Sequence, residues 1–367
     1  MALEFGYWAP NLGTSLVASR IANRTGGDFA ANLRYARLAE QHGFAYTLLA
    51  TRFVSSLEGN EGTYDSIVMA GALAAGTERI VPISAVATGL AHPAIVAKQL
   101  ITLDEISQGR AAINIVSGWL KDEYLSLGQH WLDHDERYRR SEEFITVLRA
   151  LWSDAPRVKH AGFFYRLDDV DFRPKPLRAG GIPIFQGGNS TAARQMAGRL
   201  SDFYFMNGAP LPSLVEHMAS VDAYAAQAGR RLRHAVNAFV IVRDTTEQAY
   251  DVLREIIANA DEDVVARFAR NVRQAGQATP DRQGMWADSR PEDLIQFNDG
   301  FRTGLIGTAH EVASRIVDLE QAGVDMLLAG FLHYDDELAA FGQTVIPRVR
   351  ALSAQRAAQA APVLAAR

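Results

Sequence analysis

Apolar, β-branched runs recur along the chain at residues 3–8, 44–50, 80–87, 111–116, 182–185, 203–206, 236–242 and 324–329. Stretches with helical spacing of their apolar positions separate them. Eight buried strands alternating with helices predict an α/β fold of the (β/α)8 type, a TIM barrel, because a doubly wound sheet usually carries fewer. Two distant segments, 39–50 and 319–329, echo each other as helix end, capping Gly and buried strand, which supports a repeated βα unit.

Three stretches interrupt the rhythm. Residues 119–136 follow the fourth strand, 157–176 read as a β-hairpin, and 261–304 form a long segment rich in Gln, Asp, Arg and Gly that contains Trp286. Long insertions in compact barrels are usually lids or interfaces. The expectation is one barrel domain over residues 1–350, with the insertions after strands 4 and 7 closing over the active site, and an Ala-rich helical tail at 351–367.

Gly- and Asn-rich strings directly follow three of the strands: Asn114-Ile-Val-Ser-Gly-Trp119, Gly187-Gly-Asn-Ser190 and Asn207-Gly208. In a parallel α/β fold that gathers them at the carboxyl ends of the strands, where loops vary while the sheet beneath stays fixed. The formal net charge of −5 supplies no global field for nucleic acid or acidic lipid, so any anion must be bound locally. The chain has no cysteine, which excludes disulfides, thiolate metal sites and a cysteine nucleophile. No apolar stretch reaches membrane-spanning length and the amino terminus enters a strand at once, which predicts a cytoplasmic protein.

Gly187, Gly188, Asn189 and Ser190 precede a helical pattern, so free N–H groups and a hydroxyl converge at a helix amino terminus suited to phosphate. The same four residues serve equally as a turn and N-cap. Arg137 and Tyr138, near the start of the next helical stretch after Trp119, can hold phosphate oxygens, or can belong to a solvated helix start capped by Asp133 or Asp135. Asn114 at a strand end can donate and accept on the edge of a flat heterocycle, or can be structural. The nine histidines show no metal-ligand spacing, and neither a GxSxG elbow nor a GxxxxGK[ST] loop occurs. With no metal and no obvious nucleophile, a bound cofactor is the natural source of reactivity. Trp8, Phe53, Trp119, Phe239, Trp286 and Phe331 lie near predicted rims and suggest a dry, apolar cavity.

At these residues the chain resembles the bacterial-luciferase-like, reduced-flavin-dependent monooxygenases, and within them the dimethyl sulfone monooxygenases. The resemblance runs from Phe5 to about Val349. It is carried by Ala97-Lys-Gln-Leu, the Asn114 string, His134-Asp-Glu-Arg-Tyr-Arg-Arg-Ser-Glu-Glu-Phe, Phe185-Gln-Gly-Gly, Val236-Asn-Ala-Phe-Val-Ile, Gly284-Met-Trp, Phe297-Asn-Asp-Gly-Phe and Gly330-Phe-Leu-His. It implies FMN as cofactor, supplied as FMNH2 by a separate NAD(P)H-dependent flavin reductase, with O2 as co-substrate. The implied flavin contacts are Thr51, Arg52, Asn114, Ser117, Glu123, Arg137, Tyr138, Gly187, Gly188, Asn189 and Ser190.

The departures from relatives that act on alkanesulfonates bear on the substrate. Where those enzymes carry Arg and His on the seventh strand this chain has Asn237 and Phe239, and Asn298, Asn207 and Phe331 replace an Arg, a Trp and a Tyr. A buried sulfonate needs cationic donors, whereas a neutral sulfone asks only for hydrogen bonds. The resemblance therefore implies oxidation of dimethyl sulfone to methanesulfinate and formaldehyde. Asn207, Asn237 and His333 would take the catalytic positions, and Trp8, Asn11, Phe53, Trp119, Phe239, Trp286, Asn298, Arg302 and Phe331 would line the substrate pocket. Because Arg302 remains, a short alkanesulfonate stays open, as does a pyrimidine-type substrate; the different-class alternative is a flavin- or F420-binding barrel without oxygenase activity. Barrels of this kind usually associate through outer helices, so a dimer or tetramer is expected.

Overall fold

The computed structural model describes residues 2–13, 16–54, 62–277, 279 and 284–365. Residues 278 and 280–283 of the late insertion and 366–367 of the tail lie outside the described residues.

Eight strands close a parallel barrel: β1 (Glu4–Ala9), β2 (Tyr46–Leu49), β3 (Val81–Ala87), β4 (Ala112–Val116), β5 (Ile184–Gly187), β6 (Phe203–Met206), β7 (Arg233–Phe239) and β8 (Met326–Gly330). Each strand pairs only with its sequence neighbours in the barrel, and β1 pairs with β8 to close it. The two echoing segments contain β2 and β8, the two partners of β1. The side chains alternate as a strand requires. Leu48, Ile83, Ala112, Phe185, Phe203, Ala235, Met326 and Leu328 fill the interior, where the Phe185 and Phe203 rings stack 4.1 Å apart. Their neighbours, such as Tyr7, Leu49, Ile113, Val236 and Leu327, face outward into one continuous core beneath the helices. The barrel is therefore a plugged core, which directs chemistry to its rim.

Two strands depart furthest from their expected bounds. The apolar run 236–242 is divided: β7 begins at Arg233 and ends at Phe239, while Ile241–Val242 leave the barrel to pair with Ile306–Gly307. The fifth run is shifted, and β5 extends through Gly187. The hairpin falls as expected, with Val158–Ala161 antiparallel to Arg166–Val170. Its turn is gripped by Glu143, which accepts N–H groups from Phe163, Phe164 and Tyr165; those bonds, with His160, hold its carboxyl below the usual range against the opposing effect of burial.

The long insertion begins with a helix. Helix Glu262–Gln277 places Val265, Phe268 and Val272 on one face, and this stripe packs with Trp119, Met285, Trp286, Leu294 and Phe297. The expected tail boundary at 350 falls inside a single helix, Ile346–Ala365, which Arg356 ties to Asp318 and Ser314 of helix Ala309–Gln321.

Candidate functional site

A cavity opens at the carboxyl ends of the strands. It takes Trp8 from β1, Leu48, Ala50 and Thr51 from the end of β2, Ala85 from β3, Asn114 to Ser117 from β4, Gly187 from β5, and Phe205 and Asn207 from β6. Phe268, Met285, Trp286, Phe297 and Asn298 of the late insertion supply the facing wall. Among the described residues lining it, none comes from β7 or β8.

One side of the cavity is polar and suited to an anion. Ser190 caps helix Thr191–Leu200 and its Oγ accepts from Ala193 N at 3.3 Å, so the hydroxyl is held at the helix start. No acidic residue lies in that first turn, which leaves the positive end of the helix unneutralised. Gly188 adopts φ 126° and a Cβ there would come within 2.7 Å of the Tyr138 hydroxyl, so backbone and phenol approach as only glycine permits. Arg137 is buried and stacks 4.1 Å from the Trp131 ring, while its Nε and Nη1 donate to Gly118 O and Leu132 O. Burial lowers its pKa, opposed by the Tyr138 and Tyr124 phenols and by Asp133. The guanidinium is thus fixed by carbonyls and a ring, with Nη2 making no hydrogen bond to the described protein.

Across the floor, Asn114 is buried with its Oδ1 unpartnered. Ser117 is held by Ser141 Oγ, which donates to it at 2.8 Å. Arg52 lies 4.8 Å over the Trp119 ring and 3.9 Å from the Glu123 carboxylate, and Glu123 also accepts Phe53 N at 2.7 Å. Glu123 therefore stands behind the cavity and fixes the loop after β2.

The opposite side is apolar and amidic. Trp119 and Trp286 meet at 5.4 Å with Phe268 within 5.7 Å of each, and the Trp286 indole donates to Phe297 O at 2.9 Å. Asn207 projects here from the end of β6, buried, with both Oδ1 and Nδ2 unpartnered. A buried amide with neither end satisfied costs free energy unless something entering the cavity bonds to it.

The luciferase-like monooxygenase model matches residues 3–326. The chain belongs to that family. It is 46% identical over 359 residues, 98% of each chain, to an FMNH2-dependent dimethylsulfone monooxygenase of Pseudomonas putida. It is 48% identical, over 96% of each chain, to a protein of the same description from Pseudomonas fluorescens strain Pf0-1. Among solved structures, a riboflavin lyase with modified FMN and riboflavin superposes with a TM-score of 0.82 at 21% identity, covering 95% of this chain and 92% of that one. At that identity the likeness speaks for the barrel alone.

In this member of the family the cavity gathers Thr51, Arg52, Asn114, Ser117, Arg137, Tyr138, Gly187, Gly188, Asn189 and Ser190, together with Trp8, Trp119, Asn207, Trp286 and Asn298. Other expected site residues stand elsewhere. Asn11 is fully buried and clips the loop after β1 to Ala50 N and O, at 3.0 and 2.8 Å. Phe53 is 49% exposed outside the cavity. Asn237 faces the barrel axis beneath the late insertion, accepting the Trp8 indole N–H at 2.6 Å and donating to Asn298 O at 2.8 Å. Phe239 is buried against Phe301 at 5.2 Å, and Arg302 pairs through two nitrogens with Asp288 at 3.2 and 2.9 Å.

Phe331, continuing the outward alternation of β8, packs among Phe44, Tyr334 and Phe341 behind the barrel. His333 starts helix Tyr334–Thr344 and accepts from Arg24 N at 3.4 Å, with neither group in the cavity. One physical reason covers Asn237 and Phe239: the turn at residues 296–303 lies directly on the end of β7 and separates it from the cavity. Nor does the expected helix cap form, since Asp133 occupies the N-cap position without a side-chain bond and Asp135 pairs with His134. The lining residues His134, Phe205, Phe268, Met285 and Phe297 were not singled out from the sequence as site residues. Phe268 left a signal in the apolar spacing Val265, Phe268, Val272, and His134, Met285 and Phe297 lie within strings that carry the family resemblance.

Proposed function

We propose that this chain is an FMNH2-dependent monooxygenase that converts dimethyl sulfone, O2 and FMNH2 to methanesulfinate, formaldehyde, FMN and water, with release of one proton. The residues present fit the cofactor. Ser190, the N–H groups after Gly188, Tyr138 and Arg137 would hold the phosphate, and the open Oδ1 of Asn114 would accept from the edge of the flavin ring. When bound, reduced FMN supplies the two electrons with which one oxygen atom of O2 enters the substrate and the other leaves as water.

The observation that carries the substrate reading is Asn207. Its unpartnered Nδ2 can donate to a sulfone oxygen, and its neutral amide asks for no ion. Asn298 stands beside it on the facing wall. Arg302, the cation that could have served a sulfonate, is bound to Asp288 away from the cavity, and that pairing raises its pKa. Trp119, Phe268, Met285 and Trp286 exclude water, and the segment that carries the last three acts as the lid. A flavin reductase supplies the cofactor by transient contact, the enzyme works in the cytoplasm, and the chain assembles as a dimer or tetramer through its outer helices.

The test compares wild type and Asn207→Leu with a flavin reductase over a panel of dimethyl sulfone, methanesulfonate and a pyrimidine. Dimethyl sulfone should give the formaldehyde, and the variant should raise its KM about tenfold, the scale of one lost hydrogen bond, with FMN affinity unchanged. Preference of the wild type for methanesulfonate would overturn the neutral-substrate reading.

A further inference from the structure

Gln296 is fully buried outside the cavity, and its Oε1 gathers three donors: Gly300 N at 2.6 Å, Asn298 N at 3.1 Å and Asn237 Nδ2 at 3.4 Å. Its Nε2 has no partner. The acceptor alone therefore organises the surroundings. Those surroundings connect three strand ends to the late insertion. Asn237 on β7 accepts the Trp8 indole of β1 and donates to Asn298 O, which also accepts Gly208 N from beyond β6 at 2.9 Å. Thr303 Oγ1 donates to the carbonyl of Asn237 at 2.6 Å, fastening the other end of the turn. At Gly300 a Cβ would lie 2.6 Å from Phe239 N and 2.8 Å from Gln296 Oε1, so the turn seats on β7 only because that residue has no side chain. Behind it, Gln296 is bridged to Val17 of the segment following β1.

We infer that Gln296 is a positioning residue: its single amide oxygen clamps the 298–300 turn to the barrel and so sets where Asn298 and Trp8 stand around the substrate. This rests on the oxygenase reading for its effect on turnover, but the clamp itself is a property of the folded chain. Three donors converge on one oxygen in a site without water access, where each bond is stronger than at the surface and each lost bond leaves a buried N–H unsatisfied. Loosening the turn moves two cavity walls and admits water. The consequence is uncoupling, in which FMNH2 and O2 yield FMN and hydrogen peroxide while dimethyl sulfone is left unchanged.

The experiment uses Gln296→Met, which keeps the length and removes the acceptor, and Gln296→Glu, which keeps an acceptor facing the same three donors. Amide hydrogen exchange is followed in the flavin-free protein at Gly208, Asn298 and Gly300, and peroxide and formaldehyde are measured with reductase and dimethyl sulfone. Gln296→Met should speed exchange at these amides about tenfold and shift product from formaldehyde to peroxide, with FMN affinity within about twofold of wild type. Gln296→Glu should restore both protection and coupling. Unchanged exchange in Gln296→Met, or a loss of FMN affinity as large as the loss of coupling, overturns the assignment. If Gln296→Met unfolds, failure of Gln296→Glu to protect the three amides overturns it equally. A wild type that makes no formaldehyde defeats the substrate reading, and the exchange data still decide the clamp.

Discussion

Asp299, inside the clamped turn, is a carboxylic acid whose surroundings disfavour its charge. It is 2% exposed, sits in the left-handed region at φ 55°, accepts Ser289 Oγ at 2.9 Å and leaves Oδ1 unpartnered. Burial pushes its pKa up to about 7, against the Ser289 hydrogen bond and the nearby Arg302 guanidinium, with Asp293 and Asp288 adding to the rise. A raised folded-state pKa means that the folded turn binds the proton more tightly than the unfolded chain. Its stabilising contribution is full below the ordinary carboxyl range near pH 4 and is lost as pH rises to about 7. Asp299→Asn mimics the protonated form. In urea unfolding followed across that range, the variant should therefore gain on wild type up to about pH 7 and run parallel above it. A constant difference at every pH contradicts the assignment.

At the scale of elements, the covering of the cavity depends on helix Glu262–Gln277. Its hold is the stripe of Val265, Phe268 and Val272 against Trp119 and Trp286. Phe268→Ala should destabilise this packing by about 3–5 kcal/mol, the usual cost of truncating a buried phenylalanine. Limited proteolysis near residue 277 should accelerate and peroxide release should rise, while the barrel's thermal transition moves less; equal loss from barrel and helix would show that the helix is not a separate cover.

The sequence made the eight strands legible because each is a short, mostly buried, largely apolar run followed by a loop. It was less clear where a run divides, as at Val240, since both Phe239 and Ile241 are apolar and only their pairing partners differ. The polar side of the cavity was legible for a related reason: Asn114 shares the inward phase of Ala112 within β4, and Gly188 and Ser190 come just after the end of β5. His333 and Phe331 also follow a strand end, yet their side chains lead away from the cavity. Asn237 does point to the barrel axis, but a turn sixty residues onward covers it, and no local pattern records that contact. Gln296 was invisible for the same cause, since its three donors come from a turn and from a distant strand.

For the whole molecule, the cavity at the barrel rim has a chemical division across it. The side under β4 and β5 offers a helix start, Tyr138 and Arg137 to an anionic cofactor. The side under β1 and β6 offers Trp8, Asn207 and a wall of aromatic rings to a small neutral molecule. Family membership is consistent with this division, and the neutral side carries the claim about substrate. The most direct test is a single turnover: the protein is mixed anaerobically with FMNH2 and dimethyl sulfone, air is admitted, and formaldehyde and methanesulfinate are quantified against a control without protein. The account predicts both products in equal amounts, approaching one per bound FMNH2. Bound flavin that reoxidises to give peroxide alone, with neither product, would contradict it.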